Sequence, residues 1–324
     1  MRKLATPAHA AMRWREMEQN HRPVLALGLR LLAMVFLSLL LVLVKLAGRH
    51  GIALPEIIFW RQFFPGLLIG GWLAARRQLW RLGTRRLPIH ARRAAMGIAG
   101  MVLNFGAVML LPLAQATVLG FTAPIFAVVL AATVLREHVG PFRWFAVALD
   151  FAGVLVVAGP GGGDTIPLDG LAVGVGAAFM VALISIQLRD LGRTEEPLRI
   201  VFWFSAISVP VLALALPLTG VRHDAAGWAL LLGIGILGSA AQLCLTSALR
   251  FGPVSSVIAM DYTAFGWATL WGWLVFGNLP PVATFIGAPA IVVAGLVIVW
   301  REGRTPRGAR VSPAAEPGLP VRRS

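Results

Sequence analysis

A chain of 324 residues with 58% hydrophobic and only 13% charged residues, and a mean hydropathy of +0.78, is too poor in charge for an ordinary soluble globule, which carries about 25%. Its net charge of +15 would suit nucleic acid, but most of the basic residues sit in short links and tails between apolar runs, where membrane topology demands them, and no nucleic-acid-binding motif is present. The lone Cys244 excludes an internal disulfide and reads as a small buried hydrophobe.

Residues 1–23 lack a short apolar core followed by a small-residue cleavage site, so they read as a cytoplasmic tail rather than a cleaved signal. Ten apolar segments follow, at about residues 24–47, 55–75, 93–112, 114–135, 142–159, 168–188, 198–218, 226–249, 253–276 and 281–300. Each is close to the roughly 20 residues a spanning helix needs, and Pro, Gly and charged residues punctuate them. The short links make consecutive helices antiparallel neighbours. Residues 302–324, basic and rich in Pro, Gly and Ser, read as a disordered cytoplasmic tail.

The basic residues test the count. Twenty-four of the 29 Lys and Arg fall in the N-terminal tail, the even-numbered links and the C-terminal tail, seven of them in the second link between Arg76 and Arg93. The opposite links hold only Arg49 and Arg222, and Arg30, Lys45 and Arg61 lie within apolar segments. This bias predicts both termini in the cytoplasm, and one helix more or fewer would scramble it.

The two halves echo each other. The second segment begins PEIIFWRQF and the seventh PLRIVFWFS. Ala114 through REHVGP to Gly153 parallels Pro253 through FGNLPP to Gly295, each a spanning helix, a polar turn and a Gly-bearing apolar helix. Five helices per half is an odd number, so residues 24–160 and 165–301 are expected to form two repeats of opposite orientation. The expected fold is therefore an all-α membrane protein of ten transmembrane helices in two inverted five-helix repeats.

At LPEIIFWRQFF, FTAPIFAVVLAATVLREHVG, MDYTAFGWATLWGWLVFGNLPP and IGAPAIVVAGLVIVWRE the chain resembles the EamA-type branch of the drug/metabolite transporter superfamily, a likeness running from about Val24 to Glu302. The resemblance implies the ten-helix fold and small-solute transport, without a particular substrate. Two departures stand out. Asn278 occupies a turn that carries Glu in relatives, whereas Glu137 keeps that residue in the first half. Asp150 replaces a small or apolar residue in a fifth helix that the resemblance places outside the central basket.

The six His residues, at 9, 21, 50, 90, 138 and 223, read as tail or loop residues, so neither a metal site nor a cofactor is expected. Asp261 lies eight residues beyond Pro253, about 12 Å deep at ~1.5 Å per residue, near the midplane where transporters hold substrates. It is the leading candidate for a cation or proton site, the alternative being a structural carboxylate bonded to a hydroxyl or to Arg61. Arg61 faces either the cavity or the outer surface, by snorkelling; Arg30 and Lys45 read as snorkelling or paired. Asn104 and Gln242 occupy corresponding points of the third and eighth helices, suited to lining a cavity or bonding between helices. Tyr262, Thr263, Trp267 and Trp271 follow Asp261; aromatic faces beside an acid suit an organic cation, and an interfacial belt suits the tryptophans equally.

No GxxxxGK[ST] loop is present, so direct ATP drive is not expected. The leading expectation is a secondary transporter, an exporter of a small organic metabolite across the inner or plasma membrane, working by alternating access on an ion gradient or by exchange. The alternative is an integral-membrane enzyme acting on lipid-linked substrates, which would need an interfacial cluster of acids or histidines. Expected partners are a small-molecule substrate and the lipid bilayer, with a homodimer left open.

Overall fold

The computed structural model describes residues 23–133, 140–158, 167–192, 194–219, 222–251 and 260–304. Ten helical spans run through it. They are α1 (Pro23–Arg49), α2 (Leu54–Ala75), α3 (Leu87–Leu110), α4 in two pieces (Leu113–Gly120 and Ala123–Thr133), α5 (Pro141–Ala158), α6 (Leu168–Leu191), α7 (Pro197–Ala213), α8 (Ala225–Phe251), α9 (Thr263–Phe276) and α10 (Val282–Arg304). Among the described residues, α1, α2, α3, α4, α6 and α8 are long and apolar enough to cross a membrane, and α5, α7 and α10 contain shorter apolar helices. α9 is entered from a 3-10 turn, Met260–Tyr262. Of the expected tails, residues 1–22 and 305–324 lie outside the described residues, and α10 carries helix through Arg304.

Prolines set several starts. Pro55, Pro88 and Pro197 sit in the first helical positions of α2, α3 and α7, where their fixed φ suits the helix and their missing N–H costs no bond. Pro88 moves the start of α3 six residues ahead of the segment expected from hydropathy. Residues assigned to the link thereby become helical, among them His90, buried in the first turns of α3, and both Arg92 and Arg93. The expectation that every histidine lies in a tail or loop is corrected at His90.

The packing has a symmetry that adding five to each helix number reveals. α1 packs on α8, and its counterpart α6 packs on α3. α8 meets α2, and α3 meets α7; α1 meets α9, and α6 meets α4. The remaining main contacts, α2 with α7, α4 with α9 and α5 with α10, join each helix to its own counterpart. Such a pattern requires a half-turn that exchanges the repeats. With an odd number of spans in each, the axis lies in the membrane plane. The architecture is two inverted five-helix repeats, in an integral, multi-pass membrane protein.

Lipid tails give apolar helices little reason to associate, so close contact of small residues has to hold the bundle together. α5 and α10 cross at Gly153 and Gly287. A Cβ on Gly287 would stand 2.6 Å from the Gly153 carbonyl oxygen, and a Cβ on Gly153 would stand 3.0 Å from the Gly287 carbonyl oxygen. Large apolar side chains such as Phe145, Phe151, Leu243 and Ile286 point outward, a surface suited to lipid.

Candidate functional site

α3 projects Arg93, Gly97, Gly100, Met101, Asn104, Phe105 and Val108 along one stripe, at helical spacing, onto a cavity of about 450 Å³ at the junction of the two repeats. The stripe covers ~22 Å at 1.5 Å per residue. The other walls come from α1, α2, α4, α6, α7, α8 and α9, while among the described residues α5 and α10 contribute none to the lining. Much of the wall is apolar, with Met34, Leu37, Phe121 and Phe204 prominent. Its polar groups are Ser38, Arg61, Gln62, Arg93, Asn104, Thr117, Ser205 and Gln242.

Arg61 is the seventh residue beyond Leu54 on α2, and Arg93 the sixth beyond Leu87 on α3. The two helices start on opposite faces, so the guanidinium groups approach the centre from opposite sides. Arg61 Nη1 donates to the Gln62 side-chain oxygen, leaving buried Arg61 Nε and Gln62 Nε2 without a protein acceptor. The Arg93 guanidinium stacks 4.4 Å from the Phe204 ring centre, and its buried Nε and Nη1 also lack an acceptor. Gly97 allows this stacking, because a Cβ there would collide with both Phe204 and Arg93 Nη1. Gly238 leaves room for the Arg61 stem in the same way, at 3.3 Å.

Of the residues singled out from sequence, Arg61, Asn104 and Gln242 line the cavity; Asp261, Tyr262, Thr263, Trp267 and Trp271 do not. Both Asp261 oxygens accept from Arg30, from Nε and Nη2 at 2.6 Å each, a two-point ion pair between α1 and the turn leading into α9. The partner is thus Arg30, not Arg61. Tyr262 packs edge-on against Phe121, 5.0 Å between ring centres, and Thr263 donates its hydroxyl to the Met260 carbonyl. Trp271 reaches the wall from behind by donating Nε1 to Ser38 Oγ at 3.1 Å. Lys45 is buried and donates to the Val108 and Leu111 carbonyls. Asp150, fully buried on α5, accepts no hydrogen bond among the described residues. Glu137 lies outside the described residues. Sequence reasoning missed Arg93, and Pro88 was the signal that would have placed it in a helix.

Polar networks close over the bundle on both faces. On the arginine-rich face, Arg81 pairs with Glu196 and Arg86 with Asp190, both at 2.7 Å. Glu195 accepts from Thr84 at 2.7 Å and from Arg199 at 2.6 Å, and Trp203 donates Nε1 to the Leu82 carbonyl at 2.8 Å. Burial works to raise the Glu195 carboxyl, but the hydrogen bonds from Arg199 and Thr84 outweigh it and hold Glu195 below the usual glutamate range. On the opposite face His223 meets Glu56 at 2.7 Å and His50 meets Asp224 at 3.0 Å. These two networks join the second link to the sixth and the seventh link to the first, so the half-turn that exchanges the repeats exchanges the networks.

Two inverted repeats enclosing a lined central cavity, with a polar latch on each face, define a membrane transporter rather than an enzyme. The chain belongs to the EamA-like transporter family, whose family model matches residues 24–159 and 168–300. It is 31% identical to a riboflavin transporter of Vibrio cholerae over 71% of this chain and 77% of that protein. It is 28% identical to the pseudopaline exporter CntI of Pseudomonas aeruginosa over 86% and 96%. An S-adenosylmethionine uptake transporter of Rickettsia prowazekii is 25% identical over 77% and 84%. A solved crystal structure shares the fold with a TM-score of 0.59 at 19% identity, covering 86% of this chain and 99% of that one.

Proposed function

We propose that the protein is a secondary transporter that carries one small organic metabolite across the inner or plasma membrane by alternating access. The supporting observation is the cavity at the junction of the repeats, walled by helices of both halves and by neither α5 nor α10. A rocking motion of one half against the other would open its two ends in turn. α4 is interrupted at Phe121–Thr122 and α9 is entered through the 3-10 turn Met260–Tyr262, and such irregular points let a helix change angle at the level of the site. Arg61, Asn104 and Gln242 serve as substrate ligands in this reading. Asp261, held by Arg30, steadies the α9 break, with Tyr262 and Thr263 packing around it and Trp267 and Trp271 supporting the helix behind the wall.

Both termini lie in the cytoplasm, on the arginine-rich side, by the bias of the links. A gradient of a coupling ion or of a second substrate drives the cycle. Relatives are named for uptake and for export, so net export, the expectation from the sequence, depends on the gradients and not on the fold.

Purified protein reconstituted in liposomes and offered a panel of labelled small metabolites tests the proposal. Saturable uptake that responds to an imposed gradient, for at least one compound, is the expected result. Failure of every compound to cross faster than into protein-free liposomes, under every gradient, would overturn it. A cysteine placed at Arg85 should label only from the cytoplasmic side of intact cells; labelling from outside would reverse the orientation.

A further inference from the structure

We infer that the transported substrate is a small organic anion whose carboxylate or other oxyanion group is bound between Arg61 and Arg93, with an apolar or aromatic body along the rest of the cavity. The inference rests on the transporter reading above and names the charge of its cargo.

Charge balance carries the argument. Arg61 and Arg93 are the charged residues of the cavity wall, and among the described residues no Asp, Glu or His joins them there. Of the acids in or beside the helices, Asp261 is committed to Arg30, Glu56 to His223 and Glu195 to Arg199, while Asp150, unpaired among the described residues, sits on α5 and is not part of the lining. Neither cavity arginine forms an ion pair among the described residues. Two permanent cations within spanning helices are costly, and such residues characteristically mark a substrate pathway or find a partner. Here the protein supplies no counter-charge, and a ligand that does so gains from both groups.

The donor inventory points the same way. Arg61 Nε, Gln62 Nε2, Arg93 Nε and Arg93 Nη1 are buried donors without a protein acceptor, and all four belong to residues of this wall. Buried donors call for acceptors, and an oxyanion offers several lone pairs to such a set. A cationic substrate would meet like charge and no acid. A neutral one would leave both guanidinium charges uncompensated.

The rest of the wall describes the body of the ligand. Met34, Leu37, Met101, Phe105, Phe121 and Phe204 give the cavity an apolar character, and about 450 Å³ falls within the range of small-molecule sites. Asn104 and Gln242, one from each repeat, offer donors and acceptors for a second polar end. The position of Phe204 is informative. Its ring lies 4.4 Å from the Arg93 guanidinium carbon, a cation–π contact that takes up none of the N–H donors and leaves Nε and Nη1 without a protein acceptor.

The test uses full-length protein in detergent and in liposomes with matched triads of acid, amide and amine on several scaffolds, for example indole-3-acetate, indole-3-acetamide and tryptamine. Thermal stabilisation reports binding, and competition with a transported compound reports occupancy of the transport site. Acids should bind about tenfold or more tightly than their amides, and amines least, as loss of one partner from a buried charge pair predicts. R61Q and R93Q should each erase most of the acid-over-amide preference in protein that remains monodisperse, and R61K and R93K should keep part of it. If one glutamine variant does not fold, the other and the two lysine variants carry the same comparison. The inference is overturned if no acid exceeds its amide, if amines bind best, or if the variants keep the full preference. Saturable transport of neutral or cationic compounds with no preference for acids would sink this inference while leaving the transporter reading intact. Tight binding of acids without flux of any compound would sink the transporter reading instead.

Discussion

The two repeats are alike as packing units and unlike as chemistry. The main helix contacts between the halves come in pairs that the half-turn exchanges, or join a helix to its own counterpart, as at the glycine crossing of α5 and α10. The charges do not follow. Both cavity arginines come from the first repeat. In the PEIIFWRQF and PLRIVFWFS alignment the place of Arg61 is taken by Trp203, which turns to the arginine-rich face and bonds the Leu82 carbonyl. The helix breaks differ too. In α4 the Thr122 hydroxyl donates to Leu119 within the same turn, whereas the turn before α9 is held by an ion pair reaching across 231 residues to Arg30. Backbone geometry has to be symmetric for two gates to alternate around one site. A substrate is not symmetric, so the side chains that receive it are free to diverge.

Substitutions on the symmetric seam should have the largest effect. Gly287→Val and Gly153→Val each drive a side chain into the facing backbone, and each should cost about 3 kcal/mol or prevent folding. Comparable losses of thermal stability in detergent are expected, and a loss confined to one of the two would show that the seam is not shared equally. Next come the breaks. Asp261→Asn removes one partner of a partly exposed two-point ion pair and should cost about 2 kcal/mol, against about 1 kcal/mol for Thr122→Ala. Equal costs would mean that the two breaks are held alike. Trp203→Phe removes one hydrogen bond at the arginine-rich face and should cost about 1 kcal/mol without changing any preference for charged ligands.

The smallest effect is that of pH on Glu195. Its folded value lies below the ordinary glutamate value of 4.5, so its contribution is complete above that pH and is lost as pH falls through the depressed folded value. Hydrogen exchange around residues 194–200 should therefore quicken on acidification below pH 4.5, and Glu195→Gln should remove most of that dependence. Exchange that does not respond to acidification at any pH at which the protein stays folded would show that Glu195 does not hold this network.

Much of the fold was legible because the bilayer simplifies the code. Apolar length, helix-starting prolines and the arginine bias each constrain the count independently, and the paired turns exposed the repeat. The site was legible only in part. Arg61, Asn104 and Gln242 were found because polar groups inside an apolar run have to be used. Arg93 was hidden, because a hydropathy boundary falls where charge begins, while the helix begins at Leu87 with Pro88 in its first turn. The depth assigned to Asp261 assumed an unbroken helix from Pro253. Residues 252–259 lie outside the described residues and Asp261 itself stands in a 3-10 turn, while the partner that captures the carboxylate, Arg30, sits in another repeat at a distance no local pattern encodes.

The half-turn relation between the latches sets up a measurement. The Arg81–Glu196 and Glu56–His223 contacts lie on opposite faces and trade places under the same rotation. In a body that rocks about the axis between them, widening one face narrows the other. Spin-label pairs replacing these two contacts would therefore lengthen and shorten in opposition through the cycle. A third pair on α4 and α9 near Phe121 and Tyr262, which join a helix to its own counterpart across the axis, would barely change. Under the proposed rocking motion this axis is the fulcrum against which the travel of each end is read.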